Sequence, residues 1–175
     1  MKTRTPRPAR RLCLVLALLA PLLPTPPAQA VDAAPRIGIY DSRAVAMAYA
    51  GSSFRRQKMD DLKARHQRAL QAGDEQAAAR LEAEGRAWQA ALHRQGFGTA
   101  PVEDLLVHIQ AELPRIQRAA GVSHLVSKWD LLALARHPAA ERVDLTLQIV
   151  DAFAPTAGQR QHAIDIQQQA PVPPP

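Results

Sequence analysis

The sequence contains a single cysteine, Cys13, and it lies in an N-terminal segment that reads as a cleaved leader. The chain downstream of that leader has no thiol, which excludes disulfides and cysteine metal sites. An exported protein without disulfides is held by packing or assembly alone. The six histidines are scattered, and none stands in H-E-x-x-H or another metal-binding spacing. His108 and Glu112, four apart on an expected helix, read as a solvated or paired face rather than as shared ligands. No phosphate-cradling glycine loop is present; Gly96 and Gly98 fall between helical segments and read as a bend. Asp41-Ser42 reads as a helix cap rather than as part of a catalytic triad. No catalytic, cofactor-binding or metal-ligating residue is therefore expected, and no cofactor.

An acidic residue is also lacking at the start of the chain. Lys2, Arg4, Arg7, Arg10 and Arg11 form a purely basic region, followed by an apolar run from Leu12 to Leu23. That run is too short for a stable bilayer anchor. Ala28-Gln29-Ala30 then supplies an A-x-A cleavage signal. Residues 1–30 are expected to be a signal peptide for general secretion, leaving a mature N-terminus at Val31 in the periplasm and no stable membrane anchor. Of the 22 Lys and Arg, 17 remain after cleavage against 16 Asp and Glu. The basic pI of the whole sequence thus belongs mostly to the leader, and a nucleic-acid partner is not expected.

What is present is a long helical stretch, residues 52–120, between two short apolar runs. Ile37, Ile39 and Tyr40 suit a strand, with Gly38 permitting close backbone approach. Asp41 or Ser42 caps a short helix over 43–50, and Gly51 ends it as a left-handed cap. Ser52 or Ser53 caps the first arm helix, about 54–71. Ala72-Gly73-Asp74 is a stop-and-restart signal, and a second arm helix runs over about 75–95. Helices of 18 and 21 residues, about 27 and 31 Å long, match as an antiparallel pair with Gly73 at the tip. A second bend falls at 96–100. Thr99 is expected to cap a third helix, in which Val102, Leu106, Ile109, Leu113, Ile116 and Ala120 follow a helix–helix seam spacing and Pro114 adds a kink. Residues 122–129 read as a returning strand that 131–135 continues. Asp144 starts a last helix with Leu145, Ile149 and Phe153 on its core face. Thr156-x-x-Gln159 is a capping-box pattern for a short polar helix. Residues 154–175 form a polar, Pro- and Gln-rich tail whose end, 171–175, is too proline-rich to pack.

Arg36-Ile-Gly-Ile-Tyr-Asp-Ser-Arg-Ala-Val45 resembles the opening of the OmpH/Skp family of periplasmic chaperones. Leu125-Val-Ser-Lys-Trp-Asp-Leu-Leu-Ala-Leu134 resembles the strands to which that family returns, and Val143-Asp-Leu-Thr146 with Ile149-Val150 is similar to its closing helix. The likeness covers 36–153 in organisation, and residue by residue only the two ends. It implies an α+β fold: a small strand-containing oligomerisation body, 36–51 and 122–153, with a protruding α-helical hairpin arm, 52–120. It also implies a homo-oligomer, a trimer, that holds unfolded outer-membrane or envelope proteins without ATP. The alternative is a non-enzymatic envelope adaptor that docks a folded partner through the arm. Candidate protein-binding residues are Leu62, Trp88, Leu92 and Phe97. Candidate residues of the oligomer body are Ile37, Ile39, Leu125 and Ile149. A body of about 48 residues buries too little surface to be comfortable alone, which favours assembly independently of the resemblance.

Overall fold

The computed structural model describes residues 35–173; the expected signal peptide and its cleavage site lie outside them. The fold is α+β. A three-stranded parallel sheet has the order β2-β1-β3, with β1 (Arg36–Tyr40) central, β2 (His124–Ser127) on one edge and β3 (Glu141–Asp144) on the other. Gly38 pairs with Leu125 on one side and with Val143 on the other.

Strand alternation sorts the sheet into two unequal faces. Tyr40, with Leu125 and Val143 of the edge strands, looks into the main core. That core is closed by α1 (Ser42–Gly51) and α7 (Thr146–Asp151), which bring in Ala44, Val45, Tyr49, Ile149 and Val150. Ile37, Ile39 and Val126 look the other way, where only Ala133 and Leu134 of α6 (Leu131–Ala135) and Ala140 cover them. On the main face the packing is tight enough to require a glycine. A Cβ at Gly38 would stand 2.6 Å from Leu145 Cδ1 and 2.7 Å from Leu125 Cδ2.

The helical hairpin comprises α2 (Ser53–Gln71) and α3 (Glu75–Phe97). Its turn lies at Gly73, as the matched helix lengths indicate. Gly73 takes φ +69°, the Gly73 N–H donates to Leu70 O and the Asp74 N–H to Ala69 O, a Schellman closure. Asp74 Oδ1 then accepts from Ala77 N at 2.8 Å and starts α3. At the other end Ser52 closes α1 and caps α2 at once: its N–H donates to Tyr49 O, and its Oγ accepts from Arg55 N.

Several expectations need correction. Gly51 lies inside α1 and Ser52 follows it, so no left-handed cap forms there. The third arm helix does not exist as one piece. Residues 103–120 break into α4 (Glu103–Leu106), a 3-10 turn (Val107–Ile109) and α5 (Leu113–Ala120). Pro114 stands in the first turn of α5, where its missing N–H is harmless, rather than at a kink. Val102, not Thr99, stands at the N-cap of α4, without a side-chain bond. Leu105, Ile109 and Ile116 are buried in the main core, so this segment belongs to the body and the arm is α2 and α3 alone. Residues 131–135 are helix, not strand, because Asp130 Oδ1 accepts from Ala133 N and caps them. The third strand lies instead at Glu141–Asp144, and Asp144 ends it by accepting from Thr146 N at 2.8 Å. The expected core face, Leu145, Ile149 and Phe153, is buried.

The capping box at Thr156 and Gln159 is formed, and α8 (Ala157–Asp165) follows it. The segment is no detached tail: α8 packs on α1, with Ala163 and Ile166 in the main core. Gln159 Nε2 also donates to Gly51 O. Even beyond Pro171 the chain is held, since the Val172 N–H donates to Phe97 O at 2.8 Å.

Gly38→Ala is expected to lower unfolding free energy by about 1–3 kcal/mol, the typical cost of overpacking a filled core. Urea denaturation followed by circular dichroism measures it; an unchanged midpoint would mean that Leu125 and Leu145 can step aside.

Candidate functional site

Two features stand out: the surface of the hairpin, and a buried ionic cluster where the hairpin-bearing helix leaves the sheet. Within the hairpin, Leu62, Ala69 and Ala78 are buried. Gly85 faces Leu62 closely enough that a Cβ would lie 3.1 Å from Leu62 Cδ2. Outside this seam the hairpin is charged. Arg65 lies 3.5 Å from Glu84 across the pair, His66 Nε2 lies 3.3 Å from Glu82, and Arg86 lies 3.5 Å from Glu82. The two exposed arginine pairs each contribute roughly 0–1 kcal/mol and serve solubility and register more than stability.

The four candidate protein-binding residues separate accordingly. Leu62 is consumed inside the hairpin, which withdraws it from any outward surface of the single chain. Trp88 and Leu92 are half-buried against the main core, and Lys58 Nζ covers the Trp88 ring at 5.3 Å. Phe97 alone of the four is exposed, at the hairpin's base, with the His93 ring 4.8 Å away. Leu70, one turn from the tip and 50% exposed, is an outward apolar side chain.

Among the candidate body residues, Ile37 and Ile149 are fully buried within the single chain. An acidic substitution at Ile149 would therefore unfold the chain rather than dissociate an oligomer. Ile39 and Leu125 are half-buried, on opposite faces of the sheet. The larger exposed surface is on α6, where Leu131 is 74% and Leu132 78% exposed.

The ionic cluster forms because β1 and β2 are parallel, which brings the residues that follow each strand to the same end of the sheet. Asp41 follows β1; Lys128 and Trp129 follow β2. Asp41 and Arg43 are both fully buried. Asp41 Oδ1 accepts from Arg43 N at 3.0 Å, Arg43 Nε at 3.2 Å and Trp129 Nε1 at 3.0 Å. Its Oδ2 accepts from Arg43 Nη2 at 3.0 Å and Lys128 Nζ at 2.7 Å. The guanidinium lies over the Trp129 ring at 4.8 Å, and its Nη1 donates to Gln169 O at 2.8 Å. The Asp41 N–H donates to Thr146 Oγ1. Asp41 and Arg43 together thus tie β1 to the residue pair after β2 through the carboxylate, to α7 through the Asp41 N–H, and to the C-terminal segment through the guanidinium. Burial alone would raise the Asp41 pKa, but the hydrogen bonds from Arg43, Lys128 and Trp129 outweigh it and hold the carboxyl below its ordinary value. Sequence reasoning accounts for Asp41 as the cap of α1, which it is, and misses the rest. The available signal is a charged or aromatic group immediately after each of two strands that read as neighbours.

Among the described residues no group of three or more His, Cys, Asp or Glu is placed to hold a metal ion, and no helix is long and apolar enough to cross a membrane. Comparison with protein-family models, curated proteins and solved structures finds no match to this chain.

Asp41→Asn leaves the buried Arg43 without its counter-charge and is expected to destabilise the fold by about 3–5 kcal/mol. The pH dependence follows from the same group. Its folded pKa is depressed, so its contribution is fully present above the unfolded carboxylate pKa, about 4, and is lost as pH falls through the lower folded value. Stability measured from pH 7 down to pH 2 should therefore show an acid limb that is shallower in Asp41→Asn than in the natural chain; parallel limbs would remove Asp41 from the account.

Proposed function

We propose that this chain is an ATP-independent holdase of the periplasm that binds unfolded outer-membrane or envelope proteins. The observation that carries the reading is the order of parts. A strand enters a small parallel sheet, a two-helix arm leaves it, and the chain returns to pair beside that same strand. This is the organisation that the resemblance to the OmpH/Skp family implies. Client capture then rests on many weak apolar contacts made by several arms at once.

Assembly into a homo-oligomer, a trimer by the resemblance, belongs to the same proposal. Among the described residues, both outer strands of the sheet offer unpaired edges. The thinly covered sheet face carries Leu131 and Leu132 at its margin, and adjacent leucines that exposed fit an interface better than water. Leu131→Asp with Leu132→Asp should lower the mass measured by sedimentation while leaving the circular dichroism spectrum of the chain intact. A natural chain that is monomeric at micromolar concentration would contradict the proposal.

One observation favours the adaptor reading instead. The hairpin presents few large apolar side chains, chiefly Leu70 and Phe97, and a folded partner recognised through a small hot spot requires no more than that. The two readings diverge on a shortened arm. Deleting residues 63–69 and 78–84 removes about two turns from each helix and keeps the Gly73 turn in register. The holdase reading expects the body to fold and assemble while suppression of client aggregation falls steeply for several unrelated unfolded proteins. Full protection by the shortened chain, or no protection by the natural one, would refute it.

A further inference from the structure

At the base of the hairpin, beside Phe97, lies a cleft. Its volume is about 600 Å³, within the roughly 300–1,000 Å³ of small-molecule sites. Ala90, His93, Arg94 and Phe97 of α3 line it together with Ala100 of the following loop and Val172 of the C-terminal segment. The α3 residues recur at steps of three and four and so share one helix face. Two details hold the C-terminal segment in place as a wall. The Val172 N–H donates to Phe97 O at 2.8 Å. Gly98 allows the approach, because a Cβ there would stand 2.7 Å from Arg94 O and 3.5 Å from Val172 O.

The lining combines apolar carbon with one uncompensated cation. Arg94 is exposed and makes no salt bridge among the described residues. A guanidinium next to an apolar wall complements a molecule with an anionic head and an alkyl body: the head gains charge-assisted hydrogen bonds, and the body leaves water. A carboxylate presents a planar pair of oxygens that matches the guanidinium fork. We propose that this cleft binds one long-chain alkyl carboxylate, a free fatty acid, with Arg94 on the head group and Ala90, Phe97, Ala100 and Val172 along the chain.

The test is isothermal titration of the chain purified from an exporting host with dodecanoate, below the concentration at which that probe forms micelles. Dodecanol is the neutral control. Ala90→Trp fills the cleft, and Arg94→Gln removes the charge. Both positions are exposed, so circular dichroism melts should match the natural chain. One dodecanoate per chain is expected. Ala90→Trp should weaken dodecanoate and dodecanol alike, by about tenfold or more, whereas Arg94→Gln should weaken only dodecanoate, by about tenfold. Absence of saturable binding overturns the proposal. So does binding that survives Ala90→Trp, or a loss on Arg94→Gln that is equal for acid and alcohol.

Discussion

The buried carboxylate of Asp41 is the constraint on which the rest of this small body depends. An ionised group at zero exposure is tolerable only when its lone pairs are filled and its charge is matched. Here five donors converge on its two oxygens, from Arg43, Lys128 and Trp129. Those donors sit on α1 and beyond the end of β2. The cluster can therefore form only if the two strands are parallel, adjacent and in the observed register. A slip of β2 by one residue would reverse its faces and take Lys128 and Trp129 away from the carboxylate. The polar cluster thus selects one register for strands of only four and five residues, which apolar contacts alone would specify weakly.

The same cluster explains how the C-terminal segment comes to belong to the body. Arg43 directs one guanidinium nitrogen to Gln169 O, so its charge is shared between the sheet end and the chain's last turns. Packing of α8 and the turn after it on α1 then adds Ala163 and Ile166 to the main core, enlarging a core that is otherwise small for a chain without disulfides. Because α1 continues into α2 through the single residue Ser52, which serves both helices, the orientation of the hairpin is inherited from the helix that the cluster fixes. Rigidity at the ionic lock and projection of the arm are linked by one capping residue.

How much of this was legible in the sequence varies with the physics of each element. The hairpin was readable because glycine in the left-handed region followed by an aspartate cap is a local signal, and matched helix lengths then locate the turn. The central strand and the core face of the closing helix were readable from period and composition. Residues 103–120 mislead because their apolar spacing suits a helix seam, yet Leu105, Ile109 and Ile116 reach the main core from three short pieces rather than from one rod. Leu131–Ala135 misleads because a run of leucine and alanine carries no strand signal of its own, and Asp130 provides a cap that decides for helix. The Asp41 cluster was not legible residue by residue, since its partners are 87 and 88 positions away in sequence and only the parallel pairing unites them. For the candidate protein-binding residues, spacing indicates which are apolar but not which are used within the chain. Leu62, Trp88 and Leu92 are engaged in the hairpin seam and in its seat against the body.

That internal use bears on how any partner is held. With those three side chains engaged, the arm of one chain offers Leu70 near the tip and Phe97 at the base as its large outward apolar groups. At roughly 25 cal/mol per Å² of apolar surface withdrawn from water, two such contacts cannot offset the ordering of a long unfolded client on their own. A holdase built from this arm must therefore gather its affinity from several copies, each contributing little, with exposed charge keeping the arms soluble and apart. An adaptor faces the opposite requirement and can use a single arm, provided that the partner seats one of these side chains in a closed pocket. In the first case, dilution below the assembly concentration removes binding altogether; in the second, binding persists in the monomer. The arrangement of apolar surface thus makes the holdase reading depend on oligomeric state, whereas the adaptor reading does not.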